Sequence, residues 1–266
     1  EVEAADWFDQ SKQPVVISAE DGIQLHGWLF DPDCAGAKPH LYAICCHGYS
    51  GQPQDMAKYA HRFARLGFTV LVPALRGHGL SEGRYAGMGW LDRRDLMRWI
   101  SLIIDSDADA RILLQGKSMG AAAVMMTVGE PDLPRNVVAA VEDCGYASVG
   151  QQFIDCARSM FHLPKFLAKP IVTTMGAIAR RRAGYGFQEA SCVEQLKHAT
   201  IPMLFIHGGA DDFVPSRALD ENFDACASID RQKLLIPSAG HSMSASTAPV
   251  VYWKTVTNFV TRVFGL

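Results

Sequence analysis

Short apolar runs recur along the chain and predict a set of β-strands. Two of them, 15–18 and 23–30, flank the turn sequence Ala-Glu-Asp-Gly and together predict a hairpin. Six later runs are mostly apolar and do not alternate, which is typical of strands buried on both faces of a parallel sheet. These runs are 41–46, 68–72, 112–115, 137–142, 203–207 and 233–236.

Segments with helical spacing or length separate these runs. They are residues 56–66, 90–104, 119–128, 216–226 and 250–263. A hairpin followed by alternating strands and helices predicts an α/β fold, in which the central sheet is mostly parallel and helices cover both faces.

The alternation stops after residue 144. A stretch of about fifty residues without a strand pattern is too long for an ordinary connection. We therefore predict a helical cap at 145–195, inserted into a core formed by 1–144 and 196–266. Residues 160–166 and 171–178 are its candidate helices. Its apolar side chains suit either an apolar substrate group or the packing of the cap itself; they are Met160, Phe161, Phe166, Met175 and Phe187.

Charge and composition exclude several classes of protein. The 266 residues include 25 Lys and Arg against 28 Asp and Glu, a net charge of −3, so we expect no nucleic-acid partner. No apolar run approaches the roughly 20 residues that span a bilayer. The seven cysteines lack the spacing of a metal site or a disulfide framework, and reduced thiols favour a cytoplasmic location. The alternative is a membrane-tethered or exported protein whose N-terminal segment is missing from this chain.

The strongest local motif is Gly-Lys-Ser-Met-Gly at 116–120, between a predicted strand and a predicted helix. In that context a G-x-S-x-G sequence predicts a strained turn that presents Ser118 as a nucleophile. Gly116 and Gly120 fit because side chains there would collide across the turn. The helix that follows directs its free N–H groups towards the serine.

A serine nucleophile needs a base, and the base needs an acid to orient it. Asp211 follows the strand 203–207, and His241 follows the strand 233–236, so both belong at the carboxyl edge of the sheet with Ser118. We predict a triad of Ser118, His241 and Asp211. Asp212 is the competing acid, but it lies one residue further from the strand end.

The sequence also predicts a site for the negative oxygen of an acyl-transfer intermediate. We assign its donors to the backbone N–H groups of Tyr49, after Gly48 at a strand end, and of Met119. Gly48 is expected to let the backbone turn back towards the cleft. His47 and His207 are alternative bases, although a strand-end histidine more often ties neighbouring loops together.

These features resemble the α/β-hydrolase superfamily over essentially the whole chain. More narrowly, they are similar to bacterial serine hydrolases related to monoglyceride lipases, hydroxycinnamoyl esterases and serine aminopeptidases. The matching segments are 47–51, 73–83, 116–120, 207–215 and 240–241. In the second segment Ala74 replaces the usual acid, so the loop contact of that acid is absent or rebuilt. Residues 88–92 resemble a bacterial subgroup, some members of which carry a membrane anchor.

The leading hypothesis is therefore a serine-dependent hydrolase of carboxylic esters that needs no metal and no cofactor. Its expected substrate is a small ester with an apolar acyl or aromatic group. A serine aminopeptidase is the second hypothesis, with Glu189 and Glu194 as candidate ligands of an amino terminus. A binding module without activity is the third. The basic run Arg180, Arg181 and Arg182 is either a solvated helix face or a feature that attracts an anionic substrate.

Overall fold

Eight strands form one sheet at the centre of the molecule, which the computed structural model describes over residues 2–266. They are β1 (Gln13–Ser18), β2 (Gln24–Phe30), β3 (Leu41–Cys46), β4 (Thr69–Pro73), β5 (Arg111–Lys117), β6 (Val137–Asp143), β7 (Met203–Gly208) and β8 (Arg231–Ile236). The order across the sheet is β1-β2-β4-β3-β5-β6-β7-β8. β2 runs antiparallel to β1 and β4, and the other neighbouring pairs are parallel. The predicted hairpin and mostly parallel sheet are confirmed.

Ten α-helices connect and flank these strands within residues 2–266. They are α1 (Val2–Ser11), α2 (Ala57–Arg65), α3 (Asp92–Ser106), α4 (Met119–Val128), α5 (Val149–Phe161), α6 (Lys165–Ala183), α7 (Cys192–Leu196), α8 (Arg217–Ala225), α9 (Ser244–Thr247) and α10 (Pro249–Phe264). A 3₁₀ helix, Pro53–Met56, precedes α2. None of the helices in the described residues is both long enough and apolar enough to cross a membrane.

The sheet separates two hydrophobic cores. In β3, Ile44 and Cys46 belong to one core, whereas Ala43 and Cys45 belong to the other. Successive side chains of a strand point to opposite faces, so a strand covered on both sides must be apolar at every position. Helices α3, α4 and α8 cover one face and α1, α2 and α10 cover the other.

Two features of the helices differ from the sequence predictions. The sequence pattern does not predict helix α1, because Ala4 and Phe8 are its only buried positions and the rest of it is mostly polar. The predicted helix 160–166 is wrong. Helix α5 ends at Phe161, and the next residue, His162, adopts a left-handed conformation. Pro164 directly precedes α6. A proline favours helix starts and disfavours the interior, which explains the break. The boundaries of the cap at 145 and 195 stay a prediction.

Candidate active site

Ser118 lies in a sharp turn between β5 and α4. Its backbone angles, φ 55° and ψ −119°, are strained for a residue with a side chain. A Cβ added to Gly116 would lie 2.2 Å from the carbonyl oxygen of Gly120, and one added to Gly120 would lie 2.3 Å from that of Cys46. Only glycine fits at both positions, so the two glycines permit the turn that places Ser118 at the edge of the sheet.

Three side chains from separate loops join in one row of hydrogen bonds. Ser118 Oγ lies 2.9 Å from His241 Nε2, and His241 Nδ1 lies 2.7 Å from Asp211 Oδ2. Asp211 follows β7 and His241 follows β8, so all three lie at the carboxyl edge of the sheet. The structure thus brings together the three residues that the sequence places at that edge.

The carboxylate of Asp211 is buried and well supplied with donors. Its Oδ1 accepts hydrogen bonds from the backbone N–H groups of Phe213 at 3.0 Å and Val214 at 2.8 Å. Burial opposes ionisation, but the hydrogen bonds of His207 and His241 outweigh it and hold the pKa of Asp211 well below its ordinary value. Asp212, in contrast, is exposed to solvent. Of the two candidate acids, Asp211 is therefore the one that is held in a fixed orientation and kept ionised.

His207 provides a second imidazole beside Asp211. It is fully buried at the end of β7, with Nε2 3.0 Å from the Val214 carbonyl oxygen and 3.4 Å from Asp211 Oδ2. Burial tends to lower the pKa of His207, but the neighbouring carboxylates of Asp211 and Glu142 raise it above its usual value. His207 therefore ties the loop after β7 together and does not approach Ser118 in the way His241 does.

Two histidines hold the loop that carries Tyr49. His47 Nδ1 donates to the carbonyl of Gly48 at 2.8 Å and its Nε2 accepts from the N–H of Leu75 at 3.0 Å. Because His47 is buried, its pKa falls to about 4, and the ring is neutral at pH 7. His78 Nε2 accepts from the N–H of Ser50 at 3.1 Å, so the peptide groups on both sides of Tyr49 are fixed.

Gly48 lies in close contact with Ser118. The positive φ angle falls at Ser50, with φ 55°, and not at Gly48. A Cβ at Gly48 would lie 3.3 Å from the Cβ of Ser118, tighter than ordinary packing. The loop therefore passes directly against Ser118, and any side chain at position 48 would press on the serine.

Arg76 and Ser81 anchor the loop after β4, in which Ala74 occupies the position of the usual acid. The Arg76 guanidinium is buried and bonds the Asp95 carboxylate at 2.7 Å and that of Asp21 at 2.9 Å. Ser81 Oγ donates to the Ala74 carbonyl at 2.6 Å. These bonds hold the loop that supplies His78 without a carboxylate at position 74.

A cavity of about 470 Å³ opens beside Ser118 and Met119. Its remaining walls are mostly apolar and come from α5 and α6, from the loops after β3, β6 and β7, from the loop before α3 and from the segment after α6. Of the five cap side chains considered from the sequence, Met175 and Phe187 line the cavity, whereas Met160, Phe161 and Phe166 are exposed away from it. A volume of this size suits a small organic molecule.

Two tyrosines that the sequence analysis missed hold one wall of this cavity. Tyr146 Oη donates to the Met88 carbonyl at 2.9 Å, and Tyr185 Oη donates to the Ala86 carbonyl at 3.0 Å. Both partners are backbone atoms of a distant loop, so no local sequence pattern could have identified these contacts.

The structure offers a poor site for a cation at this edge. Within residues 2–266, Cys144, Asp211 and His241 form the one group whose potential ligand atoms lie within 4.8 Å of one another. Burial raises the pKa of Cys144 well above 9, so its thiol keeps its proton. Asp211 and His241 are already bonded to each other. This donor set supplies no second anionic ligand.

A nucleophile turn, a buried acid and a histidine at the carboxyl edge of a mostly parallel sheet define an α/β-hydrolase. The model of the serine aminopeptidase S33 family matches residues 37–176, and the chain belongs to that family of hydrolases.

Two uncharacterized bacterial proteins and one solved structure are similar to this chain over most of its length. The chain is 26% identical to the uncharacterized protein YqkD of Bacillus subtilis over 255 residues, which cover 95% of this chain and 81% of that protein. It is 29% identical to the uncharacterized protein Rv2307c of Mycobacterium tuberculosis over 230 residues, 86% and 72% of the two chains. The structure of the Pyrococcus furiosus esterase Pf2001 superimposes with a TM-score of 0.74 at 22% identity, covering 95% of this chain and 92% of that one. The α/β-hydrolase resemblance and the fold are confirmed.

Proposed function

We propose that this hydrolase cleaves carboxylic esters through an acyl-enzyme on Ser118. The observation that carries the proposal is the unbroken row from Ser118 Oγ to His241 Nε2 at 2.9 Å and from His241 Nδ1 to Asp211 Oδ2 at 2.7 Å. Each neighbour is within the hydrogen-bond reach that nucleophile activation needs.

In the first step Ser118 Oγ attacks the ester carbonyl while His241 Nε2 accepts the hydroxyl proton. The ionised Asp211 holds the Nδ1–H tautomer of His241 and stabilises the imidazolium that forms. The backbone N–H groups of Tyr49 and Met119 donate to the carbonyl oxygen as it becomes negative. Each such donor contributes roughly 2.7–4 kcal/mol to transition-state stabilisation.

The intermediate then collapses and the bond to the leaving alcohol breaks. His241 gives its proton to that alcohol, and the acyl group stays on Ser118. A water molecule, deprotonated by His241, then attacks the acyl carbonyl. The bond between that carbon and Ser118 Oγ breaks, His241 returns the proton to Oγ, and the carboxylic acid is released. These steps use only side chains and amides of the chain itself, without a metal or an organic cofactor.

The cavity favours a small ester with an apolar acyl or aromatic group. Part of its wall is built from α5 and α6, which we propose act as a cap over the site, and includes Phe153, Met175 and Ile178. Transfer of apolar surface from water into such a cavity favours binding by about 25 cal/mol per Å².

An aminopeptidase activity is less well supported, although the family carries that name. It needs a carboxylate in the site to bind a free amino terminus. Glu189 bonds Arg180 at 3.1 Å, Glu194 bonds Lys197 at 2.7 Å, and neither lines the cavity. The two candidate acids are thus paired elsewhere.

Steady-state hydrolysis of p-nitrophenyl butyrate tests the proposal. We expect turnover by the wild type and a loss of at least 10³-fold in kcat for Ser118→Ala, because the nucleophile is removed. Alanine p-nitroanilide should be cleaved far more slowly than the ester. Turnover at equal rates by the wild type and Ser118→Ala would overturn the role of Ser118, and no turnover by the wild type would leave a binding module as the better account.

A further inference from the structure

Arg182 is the charged group of an otherwise uncharged cavity. Among the cavity-lining residues of the described chain, 2–266, no other side chain carries a formal charge at neutral pH. Its neighbours on the same wall are Met175, Ile178 and Ala179 of α6. The cavity therefore combines an apolar surface, which binds apolar groups, with a guanidinium, which binds an anion.

The helical spacing explains why Arg182 alone of the basic run faces the cavity. Met175, Ile178 and Arg182 are separated by three and four residues, so they form one stripe along α6. Arg180 and Arg181 lie off this stripe and do not line the cavity. From Met175 to Arg182 the stripe extends about 10 Å along the helix axis.

Among residues 2–266, no acid pairs with Arg182. The segment 156–188 contains six Lys and Arg and no Asp or Glu. The next acid along the chain, Glu189, is paired with Arg180 at 3.1 Å. Within residues 2–266, no hydrogen bond or ion pair joins Arg182 to another residue. Its planar donors are therefore available to an anion from outside.

We propose that Arg182 selects esters whose apolar acyl chain ends in a carboxylate. The carboxylate bonds the guanidinium at the mouth of the cavity while the ester carbonyl lies at Ser118 and the chain between them contacts Met175 and Ile178. Arginine suits this role because its fork of N–H donors matches the two oxygens of a carboxylate. This inference rests on the proposed ester hydrolysis and adds the class of substrate.

The test compares mono-p-nitrophenyl suberate with its methyl-capped ester, which has the same chain and no charge. We expect the wild type to favour the charged ester at least tenfold in kcat/KM. Arg182→Gln should remove most of that preference, chiefly through KM, and Arg182→Lys should keep part of it. Raising the ionic strength should weaken the wild-type preference, because Arg182 is exposed to solvent.

Arg181→Gln is the matched control, because Arg181 lies on the same helix turn and does not line the cavity. This variant should behave as the wild type towards both esters. The p-nitrophenyl half-esters of adipate and sebacate have a shorter and a longer chain than the suberate ester. If one end of the substrate binds at Ser118 and the other at Arg182, the preference for the charged ester should depend on chain length. An Arg182→Gln variant with the wild-type preference, or a preference that Arg181→Gln removes equally, would overturn the proposal.

A failure of the proposed function gives a different result. If the wild type cleaves neither ester, ester hydrolysis is wrong, and calorimetric titration with suberate then tests Arg182 alone. Suberate binding that Arg182→Gln abolishes supports a carboxylate site, whereas no binding to the wild type overturns it.

Discussion

Asp211 is held as an anion by three hydrogen-bond donors and a nearby imidazole around one buried carboxylate. The donors are the backbone N–H groups of Phe213 and Val214 and the ring of His241, and His207 Nε2 lies 3.4 Å from the same carboxylate. Burial alone would favour the neutral acid, so these contacts are what keep Asp211 ionised. We propose that the negative charge of Asp211 orients His241 and stabilises its protonated form.

Asp211→Asn should therefore lower kcat roughly 10³–10⁴-fold, because an amide stabilises the wrong imidazole tautomer and no imidazolium. Asp212→Asn is the matched control, one residue away and exposed, and should retain wild-type kinetics. The kinetics of ester hydrolysis by the two variants measure the difference, and circular dichroism verifies that both are folded. The assignment is wrong if the two variants lose activity equally.

At the scale of elements, the junction of β5 and α4 determines where the serine lies. The carbonyl of Cys46 at the end of β3 approaches Gly120 so closely that no side chain fits between them. The same junction supplies the N–H of Met119, so the nucleophile and one proposed oxyanion donor move as a unit.

We expect Gly120→Ala to lower both stability and activity, because the new methyl group would lie 2.3 Å from a backbone oxygen that cannot move independently. Overpacking of this kind typically costs about 1–3 kcal/mol or more. Gly150→Ala, in α5, is the control, since its Cβ would meet nothing nearer than 3.5 Å. Thermal melts of both variants measure the difference. A Gly120→Ala protein as stable and active as Gly150→Ala would contradict the packing argument.

Much of the site could be predicted because its residues follow strands that are obvious from their apolar runs. Ser118, Asp211 and His241 come together because β5, β7 and β8 end at one edge. The contacts of His78 and Tyr185 could not be predicted, since each depends on a backbone atom in a distant loop. The identity of the apolar side chains that line the cavity was also beyond local patterns: Phe161 and Phe166 are as apolar as Phe187, and only tertiary packing determines which of them faces the cavity.

At the scale of the whole molecule, ionisable groups are buried under the site. Glu142, at the end of β6, is fully buried, and its Oε2 accepts from the N–H of Gly145 at 3.0 Å. Burial raises the pKa of Glu142 from 4.5 to about 8. The folded protein therefore keeps a proton that the unfolded chain releases, and this group makes folding less favourable as pH rises through that range.

Glu142→Gln should reduce the loss of stability between pH 6 and pH 8. A proton held only by the folded state lowers the free energy of unfolding by at most about 1.4 kcal/mol per pH unit, and the glutamine has no such proton. Denaturant unfolding at a series of pH values measures the slope. Glu194→Gln, at an exposed glutamate, should keep the wild-type slope. Equal slopes for all three proteins would contradict the burial argument.

The most direct test of the central claim is mass spectrometry of the intact protein and of its proteolytic peptides after reaction with a fluorophosphonate. If His241 activates Ser118, the wild type gains the mass of one phosphonyl group on the peptide containing residue 118, and His241→Ala reacts far more slowly. Ser118→Ala should gain none. An adduct on another residue, or equal labelling of wild type and Ser118→Ala, would contradict the account.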